Sequence, residues 1–233
     1  SQGGIGYMIE RNLRNLLKKH GLKRDVVTLV TQVLVDKNDP AIDNPSKRIG
    51  KLYTLDEAND LASKKGWIFK ESSKRKNAYR RVVASPTPIQ IFNKESISNL
   101  ANNGVIVITV GGGGIPVYQD EKGMLLPVEG VIDKDMASSL LAQKIGADEL
   151  YILTDVPYVF INYNEENQEI KEFLDEKDTL HYLESGEFGE GSMRPKIIAA
   201  LDFVQKGGQK SIITESNKLE NKKYGTKITL EYD

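Results

Sequence analysis

The sequence contains no cysteine, which excludes disulfides, thiolate catalysis and cysteine-ligated zinc and makes a reducing cytoplasm the simplest home. It has only two histidines. His20 stands at a helix end and His181 within a polar helical stretch, settings that suit capping or surface roles better than general base work. Neither His-Glu-x-x-His nor Gly-x-Ser-x-Gly occurs, which removes the common zinc-protease and serine-hydrolase chemistries. No apolar run approaches the ~18 residues of a membrane-spanning helix, and no charged-then-apolar start suggests a secretory signal. An excess of one charge is missing too: 32 basic against 33 acidic residues leave a net charge of −1. That balance offers no broad basic face to nucleic acid or an acidic membrane and favours small, local ligands. What is there is ordinary in bulk: 233 residues, 39% of them hydrophobic, enough for one or two domains with a real core.

The chain is organised around the stretch from Val128 to Ile145. Its apolar lead-in ends at Asp133-Lys134-Asp135, where a helix is expected to begin. A helix N-terminus has unsatisfied N–H groups and a partial positive charge, so Asp133 or Asp135 can cap it while Lys134 adds a mobile cation aimed at an anion. This is a chemistry of phosphate handling; the plainer alternative is an ordinary cap beside a solvated lysine.

Upstream, Ile5, Met8, Ile9, Leu13, Leu16 and Leu17 recur at helical spacing and are expected to face a core from the first turn. After Gly21, residues 25–35 are β-branched and apolar enough for a strand. The texture then changes over 36–88, which holds Pro40, Pro45, Pro86 and Pro88 and a basic cluster at Lys70, Lys74, Arg75, Lys76, Arg80 and Arg81. This is expected to be a subdomain set apart from the main sheet, with a capping-box helix from Thr54 to Gly66 and short strands at Trp67–Phe69 and Arg81–Val83. The basic cluster reads as a solvated face rather than a nucleic-acid site, because it lacks spaced aromatics for stacking bases. Lys37, between Asp36 and Asn38, is a stronger candidate for a ligand contact.

From Asn93 the pattern is regular: a helix stopped by Gly104, a buried strand from Val105 to Val110, and then Gly111, Gly112, Gly113 and Gly114 in succession. Four glycines cost chain entropy, and what they offer is close backbone approach and free N–H groups for an anion or a flat ligand; a purely structural turn is the alternative. The loop is no Rossmann fingerprint, and no Gly-x-x-x-x-Gly-Lys-Ser/Thr occurs. A second buried strand, Leu150–Val156, ends in Thr154-Asp155, at the kind of strand end where open α/β sheets bind ligands; a turn-initiating Asp before Pro157 is the alternative. Residues 162–178 read as a hairpin or loop edge. Gly186 to Lys196 then leads into a helix over Ile197–Lys206, with Pro195 in its first turn. Lys134 and Lys196 thus stand at two helix starts, a pattern phosphoryl transfer can use. Ser211–Thr214 and Thr226–Tyr232 are expected to close the sheet.

Taken together, these stretches resemble the carbamate kinases of the amino acid kinase superfamily across essentially the whole chain. The resemblance rests on Val33-x-Val35-Asp36-Lys37-Asn38-Asp39-Pro40, Asn44-Pro45, Arg80-Arg81-Val82-Val83, Ser85-Pro86, Gly111 to Gly114 with Ile115-Pro116-Val117, Val131-Ile132-Asp133-Lys134-Asp135, Ile152-Leu153-Thr154-Asp155-Val156 and Gly191-Ser192-Met193-x-Pro195-Lys196. It implies an α/β fold: a three-layer αβα sandwich around a mainly parallel open sheet, with a small protruding α+β subdomain over 36–88 closing on the substrate between main-domain segments 1–35 and 89–233. It implies Lys134, Asp135 and Lys196 as catalytic, Asp135 orienting the lysines. It also implies Lys37 and Gly111, Gly112, Gly113 and Gly114 as substrate contacts, and Thr154, Asp155, Val156, Met193 and Lys196 as nucleotide contacts, with no protein-held metal. The reaction implied is reversible transfer between carbamoyl phosphate and ADP, with Mg²⁺ accompanying ATP or ADP, in a cytoplasmic homodimer that binds neither nucleic acid nor membrane and serves arginine fermentation. Another amino acid kinase, such as an acetylglutamate or aspartate kinase, or a non-catalytic relative, is the alternative. The resemblance departs at Arg194, where the family commonly has glycine and a cation can crowd or supplement the nucleotide site. It departs also at the start, because family members carry upstream strands and glycine loops that help cradle phosphate. A fragment of a larger polypeptide or a truncated gene product is expected on that ground.

Overall fold

The structure, a computed structural model, describes residues 1–72, 75–189 and 193–231. In chain order its elements are α1 (Gln2–Lys19), β1 (Val26–Thr28), β2 (Gln32–Leu34), α2 (Pro40–Asp43), β3 (Lys47–Tyr53), α3 (Leu55–Lys65), β4 (Ile68–Glu71) and β5 (Tyr79–Val83). They continue with β6 (Gln90–Ile91), α4 (Lys94–Asn102), β7 (Ile106–Ile108), β8 (Ile115–Gln119), β9 (Leu125–Pro127) and α5 (Lys134–Ile145). The last group is β10 (Glu149–Thr154), β11 (Val159–Ile161), β12 (Glu169–Lys171), β13 (Phe173–Leu174), α6 (Glu176–Glu184), α7 (Met193–Gln205), β14 (Lys210–Glu215) and β15 (Thr226–Ile228). The α/β expectation holds: β1/β7, β2/β8, β10/β14 and β13/β15 pair in parallel, while β6 and β9 are antiparallel edges of the β6-β2-β8-β9 sheet and β14/β15 is an antiparallel pair inside the β10-β14-β15-β13 sheet. The strand expected to reach Tyr232 ends at Ile228, and Tyr232 lies outside the described residues.

Three expectations are corrected. The single strand over 25–35 is two, because the chain changes partner: β1 pairs with β7, whereas β2 pairs with β6 and β8. The break falls at Leu29–Thr31, where Thr31 carbonyl accepts from the Ile115 N–H at 2.9 Å. The expected core face of α1 is largely in solvent: Ile5, Met8, Ile9 and Leu16 are exposed and Gly6 is the helix's buried residue. A Cβ at Gly6 would stand 2.1 Å from Thr28 Cγ2, so the helix meets β1 through the position that lacks a side chain. Finally, Ile106–Ile108 is half-buried rather than buried, with β1 as its paired neighbour.

Residues of 36–88 build their own three-stranded antiparallel sheet, β3-β5-β4, with α3 packed on β4 and β5. Helix α3 begins with the reciprocal Thr54–Glu57 capping box and ends at Gly66 in the left-handed conformation (φ 65°), as its sequence dictates. Its sheet is tied to the rest of the chain by the Lys47–Asp133 and Arg81–Glu129 ion pairs and by a bridge between Ala84 and Gly130.

Two apolar cores flank the contact of α5 with α7. One gathers Val33, Ile91, Ile97, Ile132 and Leu141; the other gathers Ile152, Ile197, Phe203, Ile213 and Ile228 around the β10-β14-β15-β13 sheet. Asp135 near the start of α5 meets Lys196 near the start of α7, at 2.8 Å, and Gln143 further on meets Asp202 further on, at 2.6 Å. The two helices therefore run side by side in one direction and end their N-termini together. Among the described residues no helix is long and apolar enough to cross a membrane.

Candidate active site

The start of α5 separates two aspartates that the sequence leaves interchangeable. Asp133 is the cap, its Oδ1 accepting from the Asp135 N–H at 2.9 Å and the Met136 N–H at 3.3 Å. Its Oδ2 accepts from Lys47 Nζ at 2.5 Å. Burial alone would raise the Asp133 pKa, but the hydrogen bond and charge of Lys47 and the two backbone donors outweigh it and hold the carboxyl below its ordinary value.

Asp135, relieved of capping, is buried, and its Oδ2 takes Lys196 Nζ at 2.8 Å and Lys134 Nζ at 3.4 Å. Lys196 is buried with it, whereas the Lys134 side chain is 61% exposed and free to follow an anion. One carboxylate cannot neutralise two ammonium groups. With the Lys47–Asp133 pair, three lysines face two aspartates, and the surplus positive charge sits where two helix N-termini add their own. Among the described residues no three His, Asp or Glu side chains cluster to hold a metal. The arrangement can fix an anion in place.

The glycine loop abuts this cluster. Over Gly111–Gly114 the chain makes two overlapping turns, Gly113 N–H to the Val110 carbonyl and Gly114 N–H to the Gly111 carbonyl, and a Cβ at Gly113 (φ 99°) would stand 2.3 Å from the Ile132 carbonyl, one residue before the cap. Gly114 (φ 84°) is pressed as closely on Val33 Cγ2, at 2.3 Å. Gly112 (φ 67°) has open space where a Cβ would stand.

In the C-terminal half, Thr154 ends β10 and its hydroxyl donates to Asp155 Oδ1 at 3.2 Å. Helix α7 packs on β10 and β14 between which it lies in the chain, so it starts near the carboxyl ends of those parallel strands. Val156 is half-buried, and Met193 packs against the C-terminal core. Arg194 Nη1 donates to the Leu183 carbonyl in the last turn of α6 at 2.7 Å, where a cation also meets the helix dipole. Gly191 and Ser192 lie outside the described residues, as does Lys74 of the basic cluster.

The structure thus brings Lys134, Asp135 and Lys196 together beside the glycine loop. It leaves Lys37 exposed, without a hydrogen bond or ion pair among the described residues. The lysine of the 36–88 subdomain that reaches α5 is Lys47, in the first position of β3, which the sequence does not mark out: no local signal tells which of several lysines turns inward. Nor does any local signal pair Tyr158 with Tyr224. Their ring centroids lie 5.0 Å apart at a tilt of 46°, across 66 residues of chain, and Tyr224 Oη donates to Glu215 at the end of β14.

A parallel-strand α/β core with a lysine–carboxylate–lysine cluster at paired helix starts defines a class of phosphotransferase, and residues 8–215 match the amino acid kinase family. The chain is 44% identical to a carbamate kinase of Pyrococcus horikoshii over 98% of its own length and 73% of that protein's. It superposes on carbamate kinase from Giardia lamblia bound to citric acid with a TM-score of 0.89, at 40% identity, covering 98% of this chain and 72% of the other. The same enzyme bound to AMP-PNP gives 0.85 at 40% identity, with the same coverage of 98% and 72%. The chain belongs to the amino acid kinase family and, within it, to the carbamate kinases.

Proposed function

We propose that the chain catalyses reversible phosphoryl transfer between carbamoyl phosphate and ADP, giving ATP and carbamate, which decays to ammonia and carbon dioxide. The observation that carries this is the Lys196–Asp135–Lys134 cluster at the joined N-termini of α5 and α7. Phosphoryl transfer asks little covalent chemistry of a protein; it asks that donor and acceptor oxygens be aligned and that positive charge meet the phosphoryl oxygens. Lys134 and Lys196 supply that charge from either side of the transferred group, and Asp135 orients both. The Gly111–Gly114 backbone lies against carbamoyl phosphate. Lys47, already at the α5 start, meets the same substrate from the 36–88 subdomain, which acts as a lid, with Lys37 as a second cation of that segment. Thr154, Asp155, Val156 and Met193 line the nucleotide site beyond the phosphates.

Mg²⁺ fits this site as a passenger of the nucleotide. The nucleotide's phosphates would be its main ligands, and when bound it would offset part of the negative charge on their oxygens. The chain works in the cytoplasm as a homodimer, in the ATP-forming direction at the end of arginine fermentation. The test is ATP formation by the folded, monodisperse chain from ADP, Mg²⁺ and carbamoyl phosphate, with Lys196→Ala as control. ATP from carbamoyl phosphate but not from N-acetylglutamyl or aspartyl phosphate, lost in the variant, is expected; no ATP from the wild-type chain overturns the proposal.

A further inference from the structure

Among the described residues four that are not glycine have positive φ; three are asparagines and the fourth is Val110, at φ 47° and ψ 28°. A β-branched side chain is strained there, and such strain persists only where the surroundings impose it. The residue that bonds the Val110 backbone is Thr31. The Val110 N–H donates to Thr31 Oγ1 at 3.1 Å, and that hydroxyl, fully buried, is shared with Thr109 Oγ1 at 2.8 Å and directed at the Leu29 carbonyl at 3.1 Å. The Thr31 backbone carbonyl accepts from Ile115 N–H at 2.9 Å. One buried residue therefore grips the glycine loop at both of its ends.

The strain has a consequence for the loop's free donors. Val110 and Gly112 are left-handed while Gly111 between them is not, and such alternation turns successive N–H groups toward one concavity suited to an anion. The Gly113 N–H is used by the Val110 carbonyl (2.9 Å), Gly114 by Gly111 (3.2 Å) and Ile115 by Thr31. The N–H groups of Gly111 and Gly112 have no acceptor among the described residues, and both residues are exposed. A loop that only reversed the chain would take glycine at 110 as well and carry no strain.

We propose that Thr31 is a positioning residue: its hydroxyl holds Val110 in the left-handed conformation and so aims the Gly111 and Gly112 N–H groups at the anionic end of the substrate. This rests on the reading that the loop lies against carbamoyl phosphate. Thr31→Val removes the acceptor at nearly constant volume, and it is expected to raise KM for carbamoyl phosphate about tenfold while leaving KM for ADP within about twofold. Thr31→Ser restores it. The decisive variant is Val110→Gly in the Thr31→Val background, because glycine holds the left-handed conformation unaided and recovers most of the lost affinity. A merely structural Thr31 would be worsened by that second change.

Equal shifts in both KM values, or no recovery in the double variant, overturn the proposal. The amide ¹H–¹⁵N signals of Gly111 and Gly112 under titration with inorganic phosphate give a readout that needs no turnover. Shifts in the wild type, lost in Thr31→Val and regained in the double variant, support the proposal even if the wild-type chain makes no ATP, an outcome that sinks the kinase reading alone. No phosphate-dependent shift at these amides in the wild type overturns it.

Discussion

Asp133 divides its carboxylate between two tasks, one oxygen closing the first turn of α5 and the other holding Lys47 of the 36–88 subdomain. Because its folded pKa lies below the ordinary 3.8, the unfolded chain takes up the proton more readily. The stability this residue contributes is therefore complete above the unfolded value and is lost as pH falls through the lower, folded one. Asp133→Asn keeps a good cap while giving up the charge. Urea unfolding should show the wild type more stable than Asp133→Asn at about pH 7 and the gap closing below about pH 4. A gap that stays constant down to about pH 3 would mean the Lys47 interaction does not depend on the Asp133 charge.

At the scale of elements, the glycine loop and the helix starts carry the account. Gly113→Ala would drive a Cβ into the Ile132 carbonyl at 2.3 Å and Gly112→Ala would enter open space, although both residues have positive φ. Gly113→Ala is therefore expected to cost more than ~2 kcal/mol and Gly112→Ala ~1 kcal/mol, the left-handed penalty alone, in thermal or urea unfolding. Equal losses would show that the loop does not rest on α5. The local parts of this architecture were legible in the sequence: the Thr54–Glu57 box, the Gly66 and Gly104 stops, the α5 start at Asp133 and the lysines at 134 and 196 are each set by neighbours in the chain. What escaped was decided by distant partners. The strand over 25–35 breaks because Thr31 bonds Ile115 and Val110, some eighty residues away. The inward lysine is Lys47 rather than Lys37 because β3, not the turn before α2, passes the start of α5. The apolar stripe of α1 has helical spacing whether or not anything covers it, and spacing alone says nothing of which face Gly6 presents to Thr28.

For the molecule as a whole, the 36–88 subdomain has a sheet and helix of its own, and its described ties to the remainder include two ion pairs, Lys47–Asp133 and Arg81–Glu129. The absence of cysteine makes its position measurable, since exposed Ser63 on α3 and Ser96 on α4 can be changed to cysteine and spin-labelled without interference. Lys47→Met is expected to lengthen or broaden the inter-label distance, and about 1 M salt to shift the wild type the same way; an unchanged distribution would mean that other contacts hold the subdomain. On the proposed function that subdomain closes as a lid over a centre whose working parts are two lysines held by one buried carboxylate at the starts of α5 and α7. The most direct test of that centre is the rate of ATP formation from carbamoyl phosphate and ADP by Asp135→Asn, which keeps the side chain's shape and removes the charge that orients both lysines. A fall of about a hundredfold or more, in a variant that melts as a folded protein, is the predicted result. A rate within about threefold of the wild type would contradict the role given to Asp135 and with it the account of the site.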